Sequence, residues 1–152
     1  MKKFLIIPTY LPSIVTMSYI VQSPTLLFEV NDNYQKQSFR NRTYINTANG
    51  KLGLTIPIKH NKTSGHKKTH EAAIENNFLW QRQHWRSIQI AYRYSPFFEF
   101  YENDMDILFT KTYTSLLEFN ITGVEILLEM LNIEKTFEKT VAYEKEPNDV
   151  YD

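Results

Sequence analysis

Phe4-Leu-Ile-Ile-Pro-Thr-Tyr-Leu-Pro-Ser-Ile-Val-Thr-Met-Ser-Tyr-Ile-Val-Gln-Ser-Pro-Thr-Leu-Leu-Phe-Glu-Val30 holds two short apolar runs with a helix-spaced stretch between them. Residues 4–7, stopped by Pro8, and residues 25–30, which begin after Pro24, read as buried strands. Pro12 suits a helix start, where its missing N–H is no loss, and Ile14, Val15, Met17, Ser18 and Val21 follow near helical spacing. The 17 residues between the runs are enough for a helical crossover, so the two strands are expected to lie parallel. This βαβ start predicts an α/β fold with a mostly parallel sheet.

In such sheets ligands sit beyond the carboxyl ends of the strands. Directly after the second run comes Asn33-Tyr-Gln-Lys-Gln-Ser-Phe-Arg-Asn-Arg42, with three cations, four side-chain amides and a single apolar ring, Phe39. A solvated loop needs few rigid donors, and a core cannot satisfy so many. Guanidinium groups match carboxylate or phosphate, and carboxamides both donate and accept. Lys36, Arg40 and Arg42 are expected to hold phosphate or carboxylate, Asn33, Gln35 and Asn41 to read hydroxyls, and Tyr10 and Tyr34 to line the pocket. The competing reading is a structural network pinning a loop to the sheet.

Downstream, residues 43–47 and 52–58 flank Ala48-Asn49-Gly50, a hairpin signal, with Pro57 near the end of the second strand. Residues 59–69 read as a mobile basic loop, and residues 72–74 as a weak strand. Three covering helices are expected. The first, over residues 79–94, carries Arg82, Arg86, Gln89 and Arg93 as a polar stripe opposite His84, Trp85 and Ile88. The second is expected over residues 104–117, with Met105, Leu108, Phe109 and Leu116 on one face. The third is expected to open at a Thr122–Glu125 capping box, with Val124, Leu127, Leu128 and Leu131 as its apolar stripe. Residues 136–143 read as a closing strand and residues 144–152 as a frayed acidic tail. All 152 residues fit one domain.

A net charge of zero hides a strong division. Residues 31–93 carry +8 and residues 94–152 carry −9, and all four histidines fall in the basic middle. The division implies an anionic ligand in the middle, such as a nucleotide sugar, a sugar phosphate or single-stranded nucleic acid. Neutralisation of basic elements by acidic helices, within the chain or between copies in an oligomer, accounts for the same pattern. With no cysteine there is no disulfide, thiolate nucleophile or Cys-based zinc site. Pro8 and Pro12 interrupt the N-terminal apolar run, no stretch is long enough to span a bilayer, and a cytoplasmic protein is expected. No glycine-rich phosphate loop, His-Glu-x-x-His or Gly-x-Ser-x-Gly occurs, so side chains must supply the ligand's donors. His84 and His60 are the candidate proton movers; His84, on an apolar helix side, equally suits a packed core role. Arg82 and Arg86 are candidates for the same anion as Lys36. No metal site is expected, and the sequence names no cofactor.

Asn33 to Arg42, with Asn49-Gly50, Leu54-Thr-Ile-Pro-Ile58 and Trp80-x-x-x-His84-Trp85, resembles the WbqC-like family over residues 4–133. Pro8-Thr-Tyr-Leu-Pro12 and Tyr19 match its N-terminal signature in part. Many relatives carry Gln and Trp where this chain has Ile7 and Ser13, and many continue beyond the position of Asp152. These are bacterial proteins often encoded among genes for cell-surface polysaccharides. The resemblance implies a transferase-type enzyme that attaches an amino acid, glycine in particular, to an amino sugar on a nucleotide or lipid diphosphate. The alternative from the residues themselves is a non-catalytic binder of an anionic ligand.

Overall fold

A computed structural model describes residues 3–60 and 65–145, together with the backbone of residues 150–151. Strand β1 (Lys3–Ile6) leads through helix α1 (Ile14–Gln22) into β2 (Leu26–Phe28), and the two strands pair in parallel, Phe4 opposite Leu26. Ser13 rather than Pro12 caps α1, its Oγ accepting from the Thr16 amide at 3.2 Å. Later strands β5 (Phe137–Lys139) and β6 (Val150–Tyr151) flank this pair, giving a wholly parallel sheet in the order β5-β2-β1-β6. The backbone of residues 150–151 is therefore paired with β1, where a frayed tail was expected; residues 146–149 and 152 lie outside the described residues.

Strands β3 (Arg42–Thr47) and β4 (Gly50–Thr55) form a separate antiparallel hairpin. Its two-residue loop ends at Gly50, which sits at φ 103° with nothing within 4 Å of an added Cβ. A Gly50→Ala change therefore meets backbone strain without a clash, and should cost about 1 kcal/mol, read from the denaturant midpoint. Of the basic loop expected over residues 59–69, residues 61–64 lie outside the described residues, and the remainder ends in a buried Thr69 that opens a single 3-10 turn, Thr69–Glu71. The weak strand near residue 73 is reduced to isolated bridges, Ile58 with Ile74 and Ala73 with Ser115.

Helices α2 (Trp80–Tyr92), α3 (Phe98–Thr110) and α4 (Leu116–Met130) follow. Two expected helices are corrected. The second runs over Phe98–Thr110 instead of residues 104–117, so Leu116 falls in α4, and it is entered through Phe97 in the left-handed region at φ 67°. The third starts at Leu116, so Thr122 and Glu125 lie inside it instead of capping it. Ser115 supplies the cap, its Oγ accepting from the Glu118 amide at 3.3 Å. The Ser-x-x-Glu pattern of residues 115–118 is the true start signal.

Helix α4 serves two cores. Leu117, Ile121, Val124 and Leu128 recur at helical spacing and pack against Leu26, Phe28 and Ile20 of the βαβ unit. Leu116, Phe119 and Ile126 belong to the other core, with Trp80, Trp85 and Ile88 of α2, Leu108 of α3 and Ile45, Leu54 and Ile56 of the hairpin. The hairpin is thus held to the parallel sheet through α4, and the junction between the two cores is where the polar segment of residues 33–42 runs.

Candidate functional site

The strand β2 ends in buried acids. Glu29 is 3 % exposed, and its Oε1 accepts from the Asn31 amide at 2.6 Å and the Thr140 hydroxyl at 3.0 Å. Asp32, also buried, takes one carboxylate oxygen to Arg40 Nη2 and the other to the Thr69 hydroxyl. Thr69 returns a backbone bond to the Asp32 carbonyl at 2.9 Å. Tyr34 N–H donates to the Lys67 carbonyl at 2.7 Å, and Asn33 forms a bridge with Lys68. The polar segment is thereby laced to residues 67–69. Its other end is held where Tyr10 N–H donates to the Phe39 carbonyl at 2.9 Å and Ile56 N–H to the Asn41 carbonyl at 2.8 Å. The carboxyl edge of β1 and the polar segment therefore do meet.

Between this segment, the residues after β4 and the 65–71 stretch lies an open cleft of about 680 Å³. Tyr34, Lys36, Asn41, Thr55, Ile56, Pro57, Ile58, Lys59, His60, Gly65, His66, Lys67 and Glu71 line it among the described residues. Lys36 and Lys59 are exposed, and Lys67 reaches the Lys59 carbonyl at 3.2 Å. Glu71, the one acid in this lining, has an oxygen engaged by the Lys68 amide at 2.7 Å. Three ammonium groups against one carboxylate make the described wall cationic on balance. Burial pushes the Tyr34 phenol up, against the opposing pull of Arg40, so it remains a neutral hydroxyl there. Asn41 is 7 % exposed; its Nδ2 donates to the Ile56 carbonyl at 3.0 Å, while its Oδ1 has no partner among the described residues.

The sequence-predicted residues divide into five places. Tyr34, Lys36, Asn41 and His60 share the cleft. Arg40 lies behind it in the buried ion pair with Asp32, so the residue expected to hold phosphate holds an internal carboxylate. Asn33 and Gln35 are exposed outside the lining, Gln35 giving its carbonyl to Ser38 Oγ at 2.7 Å, and half-buried Arg42 opens β3 with its Nε unpartnered among the described residues. Arg82 and Arg86 occupy a different groove of about 600 Å³ on the outer side of α2, which shares no lining residue with the cleft.

Tyr10 and His84 form a buried pair, Tyr10 Oη to His84 Nδ1 at 2.9 Å, enclosed by Trp80 and Phe119. Burial drives the Tyr10 phenol well above its ordinary value and lowers His84 to about 4, the Thr55 backbone hydrogen bond opposing that fall only in part. The neutral phenol therefore donates to Nδ1, and the other ring nitrogen carries the imidazole proton. His84 lines neither cleft; it joins β1, α2 and the end of β4 behind the cleft wall.

Sequence reasoning missed Asp32, Lys59, Lys67 and Glu29. Asp32 is one of only three acids in residues 31–93, and it directly precedes the polar segment. A lone acid in a basic stretch was a legible signal for the internal partner of Arg40. Among the described residues no helix is long and apolar enough to cross a membrane, and no group of His, Asp or Glu could hold a metal ion.

No curated protein and no solved structure matches the chain. The model of one family, described as the WbqC-like protein family, matches residues 8–150, nearly the whole length and including every element that builds the cleft. The chain belongs to the WbqC-like protein family.

Proposed function

We propose that this protein is a transferase-type enzyme of bacterial surface-glycan biosynthesis, whose cationic cleft holds the phosphate of an amino sugar carried on a nucleotide or lipid diphosphate. The observation that carries the reading is that Lys36, Lys59 and Lys67 line one cleft, with Glu71 the one acid among its described lining residues. Ammonium groups bind phosphate as point charges, without the bidentate fork of arginine. Tyr34 supplies a neutral hydroxyl to the sugar. In this reading the sugar's amine attacks the carbonyl of an activated aminoacyl donor, a base takes the proton the amine loses, and the donor's leaving group departs with its bonding electrons. His60, exposed in the cleft, is the residue assigned as that base.

Calorimetric titration tests the binding half directly. A uridine diphosphate amino sugar should bind, the neutral amino sugar should not, and Lys36→Glu or Lys59→Glu should each weaken binding about tenfold with unchanged thermal stability. Equal affinity of variants and wild type would remove the cleft from the reading. A single-stranded oligonucleotide that competes at equal affinity would turn it toward a non-catalytic polyanion binder.

A further inference from the structure

The corner between α2 and α3 carries features that neither the fold nor the cleft uses. Arg82, Arg86 and Arg93 line the groove on the outer side of α2, and among the described residues no hydrogen bond or ion pair engages their guanidinium groups. Among the described residues no acid lines that groove; the facing helix α3 carries Glu99, Glu102, Asp104 and Asp106, of which Glu102 is held by Gln89 Nε2 at 2.8 Å. Ile90 and Tyr94 of the groove, and Phe97 and Phe100 at the turn into α3, project into solvent. Ile90 is 68 % exposed, Tyr94 94 %, Phe97 70 % and Phe100 77 %. Phe97 and Phe100 touch each other, ring centroids 6.3 Å apart.

Phe97 is the most telling of these. It adopts φ 67°, a left-handed conformation that disfavours a bulky residue and suits glycine. The strain returns nothing to the core, since the ring points out of it. A backbone held in a disfavoured state to present an apolar ring outward suggests a contact with something outside the chain.

We infer that this corner is an interfacial docking surface for an anionic lipid bilayer, with Ile90, Tyr94, Phe97 and Phe100 entering the headgroup region and Arg82, Arg86 and Arg93 pairing with lipid phosphates. Aromatic side chains favour the membrane–water boundary, and arginine matches phosphate in a bidentate fork. A lipid surface fits better than a single-stranded nucleic acid, because the exposed aromatic rings Tyr94, Phe97 and Phe100 all follow the last arginine, with Ile90 alone set between Arg86 and Arg93, instead of alternating with the arginines as stacking platforms do. The surface is separate from the cationic cleft and does not depend on the function proposed for it.

Co-sedimentation with extruded vesicles tests the inference on the full chain. Binding should appear with vesicles of equal phosphatidylglycerol and phosphatidylcholine, fall with added salt, and be weak with phosphatidylcholine alone. Arg86→Gln with Arg93→Gln should reduce partitioning roughly thirtyfold, from about fivefold per charge removed at the surface. Phe97→Gly should reduce it about tenfold through lost apolar burial while its thermal midpoint stays at or above that of the wild type, because glycine accepts the left-handed backbone. Lys36→Glu, in the other cleft, should leave vesicle binding unchanged. Absence of binding to the anionic vesicles overturns the inference, as does wild-type partitioning by Phe97→Gly. An oligonucleotide that binds this groove and is weakened by the arginine changes alone would assign the surface to nucleic acid instead.

Discussion

Asp32→Ala is expected to destabilise the fold by about 3–5 kcal/mol, read from chemical denaturation. The size follows from what the change leaves behind. Arg40 is 8 % exposed, and its Nε already has no partner among the described residues. Without the Asp32 carboxylate, the guanidinium is a buried charge with only a long contact from Nη1 to Ser38 Oγ, at 3.4 Å. The Thr69 hydroxyl loses its acceptor in the same step. Replacing both charges together, as Asp32→Leu with Arg40→Met, should cost less than Asp32→Ala alone, since the penalty lies mainly in stranding one charge. A loss below about 1 kcal/mol for Asp32→Ala would show that water reaches the pair and that the network is not what holds the segment. The same change has a functional consequence. Asp32 ties the polar segment to Thr69, and these two stretches carry Lys36 and Lys67 to the cleft, so ligand binding should fall along with stability.

That outcome also marks where sequence reading reaches its end. The βαβ start was legible because Pro8, Pro12 and Pro24 punctuate an apolar pattern whose spacing permits few alternatives. The hairpin was legible through Asn49-Gly50. Helix α3 was misplaced because its first turn, Phe98 to Tyr101, lacks a side-chain cap and is entered by a strained Phe97, a geometry without a sequence signature. In the polar segment the reading found the correct neighbourhood but could not sort its residues. Composition says that ten adjacent side chains carry many donors; it does not say which way alternate residues point. Lys36 and Asn41 face the cleft, whereas Arg40 turns inward to Asp32. Lys67 is brought to the cleft by the bridge between Asn33 and Lys68 and the backbone bond from Tyr34, and Lys59 by the end of the hairpin, where its N–H donates to the Ala73 carbonyl. Arg82 and Arg86 were grouped with Lys36 by sign of charge, yet α2 turns its buried side, with Trp80 and His84, toward the hairpin and carries the arginines outward.

The buried histidine makes the remaining prediction, a stability that depends on pH below neutrality. His84 titrates at about 4 in the folded protein, against about 6.5 for a free histidine in the unfolded chain. Because the folded value is the lower one, the unfolded state takes up the proton first as pH falls. Stability from this group is therefore intact above pH 6.5 and declines by up to about 1.4 kcal/mol per pH unit until pH approaches 4, for a total of about 3 kcal/mol. His84→Gln isolates the effect, since a carboxamide can accept from the Tyr10 hydroxyl but does not titrate. The difference in unfolding free energy between wild type and this variant should widen steadily in the variant's favour from pH 6.5 to 4. Carboxylates and the exposed histidines contribute equally to both proteins and cancel. Parallel stability profiles over that range would mean that the imidazole is charged or solvated in the folded state, contrary to its enclosure by Tyr10, Trp80 and Phe119. A neutral His84 also bears on the cleft. Its ring N–H donates to the Thr55 backbone, and Thr55 lines the cationic wall, so the neutral ring ties the end of β4 to α2; protonation near pH 4 acts on the other side, where a proton on Nδ1 displaces the hydrogen bond donated by Tyr10.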